Sequence, residues 1–317
     1  MKRIFFLCIV LTSGLLGGLG TTQAQSRGPQ PAIQPPFEPL TAQEQKYLDD
    51  VLNYWEQRSK SIERYRCEFQ RWEYDPVFGP AGTFKTYSKG EIKYEAPDKG
   101  LFKVNEVWDY KAPAQRGEKP KYVKREGELG EHWICDGNSV FEPDPKTKRL
   151  IQRELPPHMR GKAITDGPLP FLFGADTVKI KQRYWIRRLP VPEGAKEYRL
   201  EAFPKTRQDA VNYWKVDVII AQEDFLPKGL VIFDRNFDPH KNPARTTFTF
   251  EKRQTNWNML LDQLQPWKSQ FYEPKVPYGW KKVVEKFQAP QGSQDFAPAA
   301  VGGINEARRS LGPRSSR

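Results

Sequence analysis

The period of the apolar positions changes once along this chain. From Thr41 onward, Tyr47, Leu48, Val51, Leu52, Trp55 and Ile62 recur every three to four places, with Asp49, Asp50, Gln57 and Arg58 falling elsewhere. That spacing predicts an amphipathic helix over residues 42–63. Thr41, with Glu44 three places on, supplies a capping box at its start. The period then drops to two. Tyr65, Cys67 and Phe69 alternate with charged residues, and Trp72 and Tyr74 resume the alternation after a slip of one place, which predicts a bulge.

Residues 84–95 give the clearest strand. Phe84, Thr86, Ser88, Gly90, Ile92 and Tyr94 fall on one face; Lys85, Lys89, Glu91, Lys93 and Glu95 fall on the other with Tyr87. Pro97-Asp98-Lys99-Gly100 is a turn, after which Phe102, Val104 and Trp108 begin a return strand. Asp136-Gly137-Asn138 joins strands at 132–135 and 140–142 as a hairpin, and Pro143-Asp144-Pro145 turns the chain into 149–155. Further strands are expected at 184–189, 197–203, 214–220, 230–234 and 245–252, with short helices near 169–173, 206–212 and 258–264. About ten closely spaced strands predict an α+β fold built on a large antiparallel sheet or open barrel. Its apolar face needs a cover, for which the N-terminal helix is the obvious candidate. A helix about 30 Å long cannot cover ten strands. Either loops and short helices complete the core, or part of the concave face is a ligand cavity.

The flanks have a different character. Lys2 and Arg3 precede an apolar run at residues 4–19, and Thr22-Gln23-Ala24 places small residues at a cleavage spacing, so 1–24 is expected to be a cleavable export signal. The expected location is periplasmic or secreted. Residues 25–40 are a Pro-rich linker, 41–255 the folded domain, 256–287 a C-terminal extension packing on it, and 288–317 a polar tail without fixed structure. The formal charge of the 317-residue chain is +12, of which the leader holds Lys2 and Arg3. A basic exported chain favours an anionic membrane surface or an envelope protein as partner, and export argues against nucleic acid. Oligomeric state is not legible. After cleavage two cysteines remain, Cys67 and Cys135, which permit one disulfide or two buried thiols.

Candidate chemistry is thin. His132, His158 and His240 have no partners at metal-ligand spacing, and there is no nucleophile elbow or phosphate-binding glycine loop. Glu126, Glu128 and Glu131 lie near one another in a glycine-flanked loop, better read as a solvated turn than as an acid pair. Asp234, Asn236 and Asp238 have an alternating spacing that resembles calcium ligands, without the rest of such a loop. The chain therefore reads as non-enzymatic, with no catalytic residue, metal or cofactor assigned. Its nine Trp, thirteen Tyr and nineteen Phe remain open between packing, sugar stacking and a lipid cavity.

The order of features resembles a known family. Cys67-Glu68-Phe69-Gln70 ends the first strand, Gly90-Glu91-Ile92-Lys93-Tyr94 leads to Pro97, and Asp136-Gly137-Asn138-Ser139-Val140-Phe141-Glu142-Pro143-Asp144-Pro145 follows. This is similar to the periplasmic outer-membrane lipoprotein carriers of the LolA/LolB type over residues 41–155, and more weakly to residue 251. The segments 67–71, 133–145, 154–157, 167–174 and 278–284 also resemble a secreted planctomycete domain family without an assigned activity. The carrier resemblance implies an incomplete half-barrel closed by helices around acyl chains, with a lipid or a lipidated polypeptide as cargo. A related use of the fold is sensing in envelope-stress signalling. The leading expectation is a non-enzymatic envelope protein that binds a lipid or lipidated polypeptide in a hydrophobic half-barrel cavity; the alternative is an envelope scaffold or stress sensor with a filled core and no small ligand. Carried over by position, the cavity would be lined by Phe69, Ile92, Tyr94, Phe102, Val104, Phe141, Trp214, Val216, Val218, Phe248 and Phe250.

Overall fold

The computed structural model describes residues 34–80, 82–113, 121–127, 131–157, 160–161, 171–172, 175–257 and 274–287. The expected export signal, the tail and the helix at 258–264 lie outside the described residues, as does most of the helix at 169–173.

Helix α1 spans Ala42–Lys60. Thr41 and Glu44 cap it reciprocally: the Thr41 hydroxyl accepts from the Glu44 N–H at 3.3 Å, and Glu44 Oε2 accepts from the Thr41 N–H at 2.8 Å. Its C-terminus comes at Ser61, whose hydroxyl and N–H both turn back to the Arg58 carbonyl. The buried stripe is Leu48, Val51, Leu52 and Trp55, as the spacing predicts. No helix among the described residues is long and apolar enough to cross a membrane.

The remainder is mainly one open antiparallel sheet. Its strands are β1 (Arg64–Tyr74), β2 (Thr86–Glu95), β3 (Lys99–Lys111), β4 (Lys121–Lys124), β5 (His132–Asp136), β6 (Ser139–Asp144), β7 (Arg149–Glu154), β8 (Tyr184–Arg188), β9 (Glu197–Pro204), β10 (Lys215–Ala221), β11 (Pro227–Phe233), β12 (Arg245–Thr255) and β13 (Lys281–Glu285). The order across the sheet is β13-β7-β6-β5-β3-β2-β1-β12-β11-β10-β9-β8, with β4 pairing β3 outside this path. β13 runs parallel to β7 and all other pairings are antiparallel. The two ends of the order, β13 and β8, do not pair, so the barrel stays open.

Two short helices complete the described elements. α2 (Thr177–Arg183) was not legible as a helix, because its apolar residues are too few to set a period. α3 (Arg207–Ala210) falls within the expected 206–212 segment. α1 lies across the concave face at one end of the strands. Arg58 reaches the Asp224 carbonyl (3.1 Å) and Thr255 Oγ1 (2.8 Å), tying the helix to the β10–β11 turn and the end of β12.

The expected bulge after Phe69 is corrected by the register. β1 pairs with β2 without interruption from Arg64 to Glu73. The irregularity lies on the other side, against β12, between Arg66 and Glu68. The alternation changes because a charged residue, Arg71, occupies the concave position that follows Tyr65, Cys67 and Phe69. Trp72 and Tyr74 therefore belong to the convex face. There Trp72, Tyr87 and Trp108 stand opposite one another across β1, β2 and β3, with ring centroids 5.4 and 5.0 Å apart. The convex face of β8–β11 instead carries ion pairs, Glu201 with Arg187 and Lys215 and Glu197 with Arg199 and Lys228.

Candidate functional site

The concave face is the candidate site, and Phe69 is at its centre. Its ring stacks on Phe102 at 4.8 Å and meets Phe248 edge-on at 5.9 Å. The row continues from Phe102 to Trp133 (5.7 Å) and from Phe248 to Phe250 (6.0 Å). These rings come from β1, β3, β5 and β12, and strand alternation turns all of them inward. On the other side of the core Val216 and Val218 of β10 join Leu200, Leu230 and Ile232. α1 contributes Trp55, whose ring stacks on Phe171 at 6.4 Å; Phe171 in turn packs on Tyr184 at 4.9 Å.

Nine of the eleven residues expected to line a cavity are members of this one core: Phe69, Ile92, Tyr94, Phe102, Val104, Val216, Val218, Phe248 and Phe250. Each is at most 6 % exposed. A side chain facing a water-sized void would show accessible surface there. These show almost none, so in this conformation protein atoms close the space above them.

Phe141 and Trp214 sit elsewhere, and both placements are corrections. Phe141 pairs with Ile134, and Ile134 with Leu101, each one place out of step with Trp133 and Phe102. A shift of one place moves a side chain to the other face, so Phe141 is buried on the side away from α1, with the Lys282 ammonium 6.0 Å from its ring. Trp214 precedes β10 and is 41 % exposed. Its ring packs on Phe203, Phe233 and Phe237 outside the core. It shares parity with Val216, but parity has no force before the strand begins.

The disulfide permitted by the sequence does not form. Cys67 and Cys135 are both buried free thiols. Cys67 lies on β1 opposite Ile92, and Cys135 on β5 opposite Gly100. Strands β2 and β3 run between them, a separation of about 14 Å at the usual strand spacing, which no disulfide spans. Burial pushes the Cys67 thiol up to about 12 and Cys135 up to about 11, so neither is an activated nucleophile.

The polar group that the sequence reading did not pick out is Arg71. It is buried on the concave face, where Nε donates to Ser88 Oγ at 3.0 Å and a terminal guanidinium nitrogen meets Glu131 at 2.7 Å. Glu73 is 3.6 Å from Nε, and its carboxyl is raised by burial, with Arg71 opposing. The available signal was the break in alternation at Arg71 itself. Tyr184 and Tyr213 share a second buried hydrogen bond, hydroxyl to hydroxyl at 2.6 Å.

Glu131 is thus engaged with Arg71, and Glu126 is exposed. Glu128 and His158 lie outside the described residues. Asp234 and Asp238 turn their carboxylates onto backbone N–H groups of Asn236, His240 and Lys241, which makes them loop caps. His132 is lowered by burial and by the nearby Lys103. Among the described residues no group of three or more His, Cys, Asp or Glu is placed to hold a metal ion. Two surface clefts are lined by described residues. One, of about 700 Å³, lies between Leu40, Tyr47 and Arg188; the other, of about 540 Å³, lies between Lys103, His132 and Trp280.

No protein-family model matches the chain, and no curated protein matches it. Solved structures to which it is similar include an uncharacterized conserved protein from Thermus thermophilus, at 10% identity and a TM-score of 0.40, covering 75% of this chain and 99% of that one. A LolA superfamily protein from Nitrosomonas europaea follows at 12% identity and a TM-score of 0.29, covering 65% and 92%. A chain of the Pseudomonas aeruginosa MucA/MucB complex is similar at 13% identity and a TM-score of 0.34, covering 68% of this chain and 59% of its own length. LolA-superfamily proteins are thus among the structures this chain is similar to.

Proposed function

We propose that the protein is a non-enzymatic envelope protein, a scaffold or sensor that holds a filled half-barrel core and engages its partner through its surface. The observation that carries this reading is the closure of the concave face: nine side chains placed to line a cavity are each at most 6 % exposed. Of their aromatic members, Phe69, Phe102, Phe248 and Phe250 form one chain of ring contacts. The two thiols are raised rather than activated, which supports a non-catalytic role.

Carriage of a lipid or a lipidated polypeptide is the second reading, favoured by the make-up of the same face. Val216, Phe248 and Phe69 belong to one apolar cluster, with Trp133 packed against it, and Arg71, the register partner of Phe248, is the charged residue buried beside them. An acyl chain would gain about 25 cal/mol for each Å² of apolar surface removed from water, but only after the cover had moved aside. The test is lipid extraction and mass spectrometry of protein purified from its native envelope, with uptake of a fluorescent fatty acid measured in parallel. The filled-core reading expects no stoichiometric amphiphile and no uptake. An equimolar amphiphile would overturn it in favour of carriage.

A further inference from the structure

The antiparallel order sends the β1–β2, β9–β10 and β11–β12 connections, with the end of β3 and the start of β4, to one end of the sheet, opposite the end crossed by α1. Exposed apolar side chains collect there. Val77 and Phe78, in the β1–β2 loop, are 75 % and 76 % exposed, and Val211 and Trp214 are exposed between β9 and β10. At the α1 end Tyr54 is exposed on the helix.

The β1–β2 tip is a built turn. Asp75 Oδ1 accepts from the Val77 and Phe78 N–H groups at 2.9 and 3.0 Å, and the Asp75 carbonyl accepts from the Gly79 N–H at 2.8 Å. A Cβ on Gly79 would lie 2.5 Å from that carbonyl oxygen. Lys85 donates to Asp75 Oδ2 at 2.9 Å while its ammonium sits 4.9 Å from the Phe78 ring. The turn thus holds two large apolar side chains in water, an arrangement that folding does not reward and that an apolar partner would.

Behind the tip is a band of aromatic residues. Phe84 stacks on Tyr122 at 4.4 Å, with Tyr74 and Tyr110 beside them. Trp214 stacks on Phe237 at 5.6 Å further along the same end. Lys111, Lys121, Arg207, Arg235 and Lys241 are exposed at the same end of the sheet. An apolar tip, a Tyr/Trp band and exposed cations at the same end match what a bilayer surface presents in turn: acyl chains, interface, phosphates.

We infer that this loop end docks on an anionic phospholipid surface, with Val77 and Phe78 entering the acyl boundary and the Lys and Arg of the same end meeting lipid phosphates. The inference rests on the reading of the protein as an envelope protein acting through its surface, and names that surface. The test is flotation of the purified protein with vesicles of equal parts phosphatidylglycerol and phosphatidylcholine, against vesicles of phosphatidylcholine. Binding is expected to the first, to weaken with added salt, and to fall about tenfold or more in Phe78→Asp. Phe78→Leu is expected to retain it, and an unchanged thermal midpoint in both variants checks that the exposed position leaves the fold intact. No binding to the anionic vesicles, equal binding to both vesicle types, or wild-type binding by Phe78→Asp would each overturn the inference. Lipid extraction reports on the core and flotation on the loop end, so failure of one leaves the other reading standing.

Discussion

The phenyl ring of Phe69 lies directly over the α-carbon of Gly90 on the neighbouring strand. A Cβ built at Gly90 would stand 2.4 Å from the Phe69 Cζ and 2.2 Å from the Lys103 carbonyl oxygen. The two residues are register partners between β1 and β2, so the absence of a side chain at one is what lets the other lie flat against the sheet and stack on Phe102.

Gly90→Ala is therefore expected to destabilise the fold. The ring would have to leave its stack and a strand would have to shift, at a cost of about 3 kcal/mol. For a domain of this size that is a fall of roughly 10 °C in the thermal midpoint, readable by calorimetry. A midpoint equal to wild type would show that the ring is free to move.

Arg71→Ala removes a buried cation and leaves Ser88 and the half-buried Glu73 without it. The expected loss is about 3 kcal/mol in urea unfolding. Arg71→Lys should restore only part, because one ammonium cannot serve the hydroxyl and the Glu131 carboxylate in the planar geometry of the guanidinium.

Thr41→Ala opens the capping box of α1. Both of its hydrogen bonds are local and exposed, so the expected cost is about 1 kcal/mol, with helix content by circular dichroism unchanged below the transition. Glu44→Ala should cost less, since the Thr41 hydroxyl still caps the helix.

Alkaline pH should destabilise the protein through its thiols. Burial holds Cys67 at about 12 and Cys135 at about 11, whereas an unfolded thiol titrates near ~8.5. A group whose folded value is raised keeps its proton in the native state after the unfolded chain has lost it, so this contribution is intact below pH ~8.5 and declines as pH rises. The urea midpoint is expected to fall between pH ~8.5 and 11. In Cys67→Ala that slope should be shallower; an identical slope would place the titrating group elsewhere.

Much of the secondary structure could be read from the pattern of residues, and the reasons are local. The α1 stripe, the Thr41 box and the two faces of β2 depend on neighbours a few places away. The Asp136-Gly137-Asn138 hairpin is of the same kind: Gly137 has φ 94°, a conformation open to glycine, and Asp136 caps the turn through the N–H groups of Asn138 and Ser139. Strands β4 and β13 escaped, since each is short and largely exposed and owes its existence to the strand it pairs with, β3 and β7.

The candidate site was legible as a set of inward-facing positions, because alternation assigns faces wherever a strand is continuous. Nine of eleven assignments fell in one core for that reason. The exceptions lie where alternation has no authority: Trp214 before its strand, and Phe141 on a strand whose phase relative to β3 is set by pairing across β5.

By itself, then, the sequence determined the helix, most strands, the inward side of each and the class of fold, because periodicity and turn chemistry are properties of adjacent residues. Tertiary structure decided that the sheet stays open, that Cys67 and Cys135 are kept apart by two intervening strands, and that Arg71 is neutralised inside the concave face. It also decided that rings from β1, β3, β5 and β12 close on one another where a cavity was expected. Each of these depends on which strands become neighbours, and strand adjacency is fixed by the packing of residues far apart in the chain.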